Sequence, residues 1–190
     1  MKIKTTLIVV LAGFILSAGM YSCKGKKDVT PAGEVEIKVY CSGSEFFSDK
    51  NYFRANAIGE SLDQMTSKKK ALSNAKAELA ASINTVIKGT TDNYINSREF
   101  NNVEEVEERF EGLTREVINQ KLSGVKTICE KQTKTADGKY KTYLAIELSG
   151  DELASEINER LSQDERLKID YDYEKFKSTF NEEMSKMENR

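Results

Sequence analysis

The sequence predicts an α+β fold: one long helix packed on a small antiparallel sheet, with additional helices toward the C-terminus. Three observations carry that expectation. Leu72, Ala75, Leu79, Ile83 and Val86 recur at spacings of three and four, which places them on one stripe of a helix. Asp137-Gly138 lies between two stretches of alternating apolar and polar residues, a strong hairpin signal because its turn positions need positive φ. Only one proline, Pro31, occurs in 190 residues, and 32% of them are charged, which suits helices with solvated faces.

Ahead of the fold stands MKIKTTLIVVLAGFILSAGMYSC, residues 1–23. Lys2 and Lys4 precede an apolar run over residues 7–18, and small or polar residues then lead to Cys23. This is the layout of a bacterial secretory signal whose cysteine becomes lipidated. A membrane-spanning helix needs about 20 apolar residues. The run falls short of that and is broken by Gly19, Tyr21 and Ser22, so residues 1–22 read as a cleaved signal rather than an anchor. Met20-Tyr21-Ser22-Cys23 resembles the lipobox of bacterial lipoproteins, with an aliphatic residue three before the cysteine and a small one directly before it.

Residues 23–33 then read as a flexible, basic tether. Lys24 stands where an aspartate would resemble an inner-membrane retention signal, which favours the outer membrane. Acyl chains contribute about 0.8 kcal/mol per buried methylene, so several chains make a lasting anchor. The tether lysines either meet anionic head groups or stay solvated.

Beyond the tether, residues 34–165 are expected to form one α+β domain and residues 166–190 a helical tail. The 29 Lys+Arg and 31 Asp+Glu give a mild, mixed balance without the basic stripe of a nucleic-acid binder. There is no histidine, which removes the commonest general base and metal ligand. No nucleophile–base pair, phosphate-binding glycine loop or metal-ligand spacing stands out, so no catalytic residue, metal or cofactor is expected. With Cys23 assigned to the lipid, Cys41 and Cys129 remain. They either oxidise into one bridge in an exported chain or act as two small buried hydrophobes.

Residues 35–41, VEIKVYC, alternate with Val35, Ile37, Val39 and Cys41 on one face and are expected as a half-buried strand. An irregular aromatic stretch follows, with Phe46, Phe47, Tyr52 and Phe53. Residues 52–58 read as a second extended segment that turns at Gly59. The four aromatics either line a ligand pocket or close one edge of the core. The long helix is expected from Thr66, with Lys70, Asn74, Ala81 and Lys88 opposite its stripe; at Gly89 it either kinks or continues as polar helix toward Ser97. Asn101-Asn102 caps a second helix whose first turns carry Glu104, Glu105, Glu107 and Glu108. Its Val103, Val106, Phe110, Leu113 and Val117 make a short seam suited to packing within the chain.

Taken as a two-residue turn, Asp137-Gly138 pairs Ala136 with Lys139, Cys129 with Ile146 and Thr127 with Leu148. Thr127 and Cys129 then share the core face with Leu144, Ile146 and Leu148, while Glu130, Gln132, Tyr143 and Glu147 face out. Ser149-Gly150-Asp151-Glu152 is a capping box for a short helix using Leu153, Ile157 and Leu161. A last helix presents Tyr173, Phe176, Phe180, Met184 and Met187 on one side, a stripe that covers either the domain or a partner. The alternate carboxylates of residues 170–174 lack the glycine and distal glutamate of a calcium loop and read as helix capping.

Phe53-Arg54-Ala55 with Gly59, the alanine-spaced helix over residues 71–80, Leu122-Ser123-Gly124-Val125 and the stretch 140–148 occur in that order behind the leader cysteine. In this order the chain resembles the LPP-twenty family of bacterial lipoproteins, and more closely its version in Bacteroides-type bacteria. The resemblance covers residues 35–161. It implies a helix across a small antiparallel sheet, membrane association through lipid, and no established activity.

The expected function is therefore that of a lipid-anchored envelope lipoprotein, membrane-bound through Cys23, acting as a non-enzymatic binding or structural module toward an envelope protein. The alternative is a small-molecule or lipid binder with a pocket between helix and sheet, near Phe46, Phe47, Tyr52 and Phe53.

Overall fold

Strands β1 (Tyr52–Ser61) and β3 (Tyr140–Ser149) pair antiparallel along their whole length, and β2 (Lys126–Lys134) adds on the other side of β3. The order is β1-β3-β2, so β3 is central. The computed structural model describes residues 33–35, 37–97, 102–165, 167 and 171–189. It divides into two units, Met1–Ile37 and Lys38–Arg190. In the first, the described Val35 and Ile37 are exposed. Everything below concerns the second.

The α-helices among the described residues are α1 (Gln64–Asn96), α2 (Val103–Ser123), α3 (Gly150–Gln163) and α4 (Tyr173–Ser185). Each begins on a side chain that accepts a hydrogen bond from a backbone N–H of its first turn: Asp63 from Thr66, Asn102 from Glu105, Ser149 from Glu152 and Asp172 from Lys175. Asp172 thus caps α4, while Asp170 lies outside the described residues.

Where α1 crosses the sheet the approach is very close, and small residues make it so. A Cβ on Gly59 would strike the Ser67 carbonyl oxygen and the Ala71 amide nitrogen. The Ser67 hydroxyl is buried there, donating to the Gly59 carbonyl at 3.0 Å and sharing a hydrogen bond with Thr142 Oγ1 at 2.8 Å. Beyond the crossing, Ala75, Leu79 and Ile83 pack on Phe53, Leu144 and Ile146, all buried. Apolar surface removed from water contributes about 25 cal/mol for each Å², so this helix-on-sheet layer stabilises the domain through the side chains it buries.

Several expectations meet corrections. The described residues between 35 and 41 form no strand: the chain turns at Tyr40 and Cys41, and Cys41 takes φ +56°. Apolar alternation alone makes no strand without a sheet edge to pair with, and Tyr40 and Cys41 instead pack against Tyr143 of β3. β1 does not turn at Gly59 but runs through it to Ser61. The long helix α1 starts before Thr66, at Gln64, and of the two courses open at Gly89 it takes the continuation toward Ser97, running to Asn96 with buried Thr90, Thr91, Tyr94 and Ile95 extending its stripe.

The hairpin holds three loop residues, not two. Thr135 N–H donates to Lys139 O at 2.8 Å, and Gly138 alone takes positive φ, +85°. Lys134 therefore faces Tyr140 and Cys129 faces Ala145, with a bulge between Thr127 and Cys129. A one-residue shift turns a strand over. Cys129 accordingly lies on the back of the sheet rather than in the core. Glu130 and Gln132 turn to the helix side, where Glu130 pairs with Lys68 at 2.8 Å and Gln132 accepts from Gln64.

On α2 the buried residues are Phe110, Thr114, Val117 and Ile118, while Val103 is exposed. The inward face is rotated because α2 packs on both α1 and α3. The stripe on α4 covers the domain itself. Phe176, Phe180 and Met184 are buried, and Phe180 meets Phe53 edge-on at 6.4 Å. Tyr94, Phe110, Tyr171 and Phe176 form one aromatic cluster joining α1, α2 and α4. Phe176, Phe180 and Met184 of α4 are thus part of the core.

Candidate functional site

Of the residues singled out in the sequence, Cys23 lies outside the described ones, as do all of residues 1–32. The other two cysteines come together. Cys41 and Cys129 are joined by a disulfide, their Cα atoms 5.6 Å apart across 88 positions of sequence. Cys41 is buried against β3, its sulfur 3.7 Å from the Tyr143 carbonyl oxygen, and Tyr40 stacks edge-on with the Tyr143 ring at 5.3 Å.

The four aromatics do not converge. Phe53 is fully buried in the core, and Tyr52, its neighbour in the strand, points to the opposite face. Phe46 is half-buried in a short 3₁₀ turn (Ser44–Phe46), and Phe47 is 58% exposed. Phe46 and Phe47 do line a shallow groove of about 350 Å³ with Arg54, Asn56, Glu78 and Met187, at the outer edge of β1. Between α1 and the sheet, the alternative place for a pocket, Phe53, Ala75, Leu79, Ile83, Leu144 and Ile146 are buried in one core cluster.

What organises this side of the molecule is Arg54. Its Nε donates to Glu147 Oε2 at 2.7 Å, and its Nη1 reaches Asp49 Oδ2 at 2.6 Å and the Phe47 carbonyl at 3.0 Å. Its guanidinium also lies 5.0 Å from the centre of the Tyr52 ring. Asp49 Oδ1 accepts from the Asn51 and Tyr52 amides at 2.7 and 2.9 Å. Burial alone would raise the Asp49 carboxyl, but the Asn51 amide, Arg54 and the Tyr52 amide outweigh it and hold it below the ordinary 3.8. The Ser48 hydroxyl bonds both the N–H and the C=O of Arg54, closing the open edge of β1 at that point.

Residues 38–49 are thus a strap across the back of the sheet. The disulfide fixes it to β2 at one end, and the Arg54–Asp49 cluster fixes it to β1 at the other. Sequence reading assigns no role to Arg54, Asp49 or Glu147. The available signal is a lone arginine in the otherwise uncharged run YFRANAIG.

A larger groove of about 450 Å³ lies between α1 and α2. Ile87, Thr91, Thr114 and Ile118 form its buried floor, and Lys88 and Arg115 stand on its rim. The Tyr171 hydroxyl is buried with no hydrogen-bond partner among the described residues, and burial pushes its phenol well above the usual range. Among the described residues no three His, Cys, Asp or Glu side chains converge as metal ligands. No described helix is long and apolar enough to cross a membrane. No family model, curated protein or solved structure matches this chain.

Proposed function

We propose that the chain is a lipid-anchored lipoprotein of the cell envelope, held at the outer membrane through Cys23, whose folded domain is a non-enzymatic binding or structural module for another envelope component. The observation that supports this most is the Cys41–Cys129 disulfide. Structural disulfides persist in oxidising compartments and are rare in the cytosol. This one ties the segment that follows the tether to the central sheet, so that force on the anchor would be taken by the sheet rather than by the strap alone. The leader, the lipobox-like Met20-Tyr21-Ser22-Cys23 and the resemblance to LPP-twenty lipoproteins point the same way.

Fractionation with a lipidation-null variant tests the reading. Wild-type protein should sediment with envelopes and incorporate labelled palmitate, and Cys23→Ser should abolish the label. Equal labelling of both proteins would sink the reading.

A second reading, a small-molecule or lipid binder, draws on the groove between α1 and α2, which is of ligand size. Native mass spectrometry of protein purified from envelopes separates the two. A co-purifying small molecule whose retention is lost in Thr114→Trp favours the binder, and a bare chain favours the module.

A further inference from the structure

We propose that the end of the domain built from the β1–α1 corner and the β2–β3 turn seats on the surface of an anionic lipid bilayer. In this arrangement Leu62 and Met65 enter the headgroup boundary and the surrounding lysines face lipid phosphates. The inference rests on the reading that a lipid at Cys23 holds the domain at a membrane.

Leu62 is 75% exposed and Met65 59% exposed, at the tip of the corner. Lone exposed aliphatic residues are ordinary on protein surfaces, so the weight lies in their setting. An apolar residue just before a helix cap usually packs on the fourth helical position. Here that position is Ser67, buried and hydrogen-bonded to Gly59 and Thr142, so Leu62 has no such partner. The corner is also held firmly: Asp63 caps α1, and Gln64 donates to Gln132 of β2. Two apolar side chains are therefore presented from a rigid support.

The charges around them favour one occupant. Ser61 pairs with Tyr140, so the corner and the β2–β3 turn share one end of the sheet. Lys134, Lys139 and Lys141 of the hairpin, with Lys69 and Lys70 of α1, stand at that end against the carboxylates of Glu60, Asp63 and Asp137, beside the mutually paired Lys68 and Glu130. Asp63 is engaged by the helix cap, Glu60 bridges Lys139 and Lys141 at 3.3 Å each and Asp137 pairs with Lys139 at 3.1 Å, so the positive excess of this end rests on Lys69, Lys70 and Lys134. The chain as a whole is slightly acidic, with net charge −2. Glu104, Glu105, Glu107 and Glu108 begin α2, which follows the opposite end of α1. At 1.5 Å per residue, the 33 residues of α1 separate its two ends by about 50 Å. An aliphatic tip with lysines, backed by a remote acidic end, matches an anionic headgroup layer and would be repelled the other way round.

The covalent reach is sufficient. Cys41 lies against Tyr143, which pairs with Ile58, so the tip is about 13 Å further along the strands. The 18 residues from Cys23 to Cys41 span at most about 60 Å when extended.

The test uses residues 23–190 carrying Cys23→Ser. This chain keeps the whole core, which lies within Lys38–Arg190, and removes the lipid, so its result is independent of whether Cys23 is acylated in cells. It is sedimented with vesicles of phosphatidylglycerol and phosphatidylethanolamine, and with vesicles of phosphatidylcholine alone. The expected result is binding to the anionic vesicles only, lost at about 1 M salt, where screening shortens to about 3 Å. Leu62→Ser/Met65→Ser and Lys69→Glu/Lys134→Glu should each weaken binding by about tenfold or more, with unchanged thermal melting. Equal partitioning into both vesicle types, or binding untouched by either double variant, overturns the proposal. So does self-association in the absence of vesicles that Leu62→Ser/Met65→Ser dissolves, because the patch would then belong to a second copy of the chain.

Discussion

Arg54 and Glu147 face each other across the β1–β3 pair, with Nε and Oε2 2.7 Å apart and both side chains only 15% exposed. The same guanidinium holds Asp49, so one cation serves two carboxylates and ties the strap to the sheet. Arg54→Ala leaves both carboxylates without their counter-charge, at an expected cost of about 2 kcal/mol, discounted from fully buried pairs because Asp49 is partly solvated. Arg54→Lys should recover less than half of that, because an ammonium lacks the planar fork that reaches both partners. Urea unfolding of the three proteins checks this. A lysine variant equal to wild type would contradict it.

The strap should loosen in acid. Asp49 is held below its ordinary 3.8, so the folded state binds its proton less readily than the unfolded chain does. Its contribution is therefore fully present above the unfolded value and is lost as pH falls through the lower, folded one. Stability measured from about pH 5 down to about pH 2 should fall more steeply for wild type than for Asp49→Asn. Parallel curves would show that this carboxylate is not the coupled group.

Removing the disulfide should matter more than removing the ion pairs. It closes a loop with a sequence separation of 88, for which chain entropy alone allows about 4.6 kcal/mol. Cys41→Ala/Cys129→Ala is expected to lose about 2–4 kcal/mol. Reductant should bring wild type to the same urea midpoint and leave the variant unchanged. A reductant effect on the variant would place the sensitivity elsewhere.

Two glycines should respond in opposite directions. Gly59→Ala puts a methyl into the backbone of α1 at Ser67 and Ala71, and overpacking that cannot relax costs about 2–3 kcal/mol. Gly112→Ala, on an open face of α2, meets nothing within 4 Å and should stabilise by about 0.5–1 kcal/mol. Thermal melts of the pair read both signs at once.

The helices and the sheet were legible in the sequence because their signals are local. The stripe from Leu72 to Val86, the cap at Ser149 and the paired runs around Asp137-Gly138 each need only neighbouring residues to be read. The hairpin register was not legible: Asp-Gly closes two- and three-residue loops alike, and that one residue decides which face Cys129 takes. Nor was the strap. The alternation VEIKVYC gives strand periodicity, but its fate depends on Cys129 and Tyr143, which are about a hundred residues away. Arg54 could not be assigned for the same reason, since its partners Asp49 and Glu147 meet only after the sheet forms. Buried Phe53 and exposed Phe47 differ through topology, not composition.

The anchor at Cys23 is tested most directly by mass spectrometry of the N-terminal peptide of protein purified from the envelopes of cells expressing the full chain. The account predicts a mature chain that begins at Cys23, with a diacylglyceryl thioether on its sulfur and an acyl group on its amine. An N-terminus elsewhere, with Cys23 internal and unmodified, would contradict it.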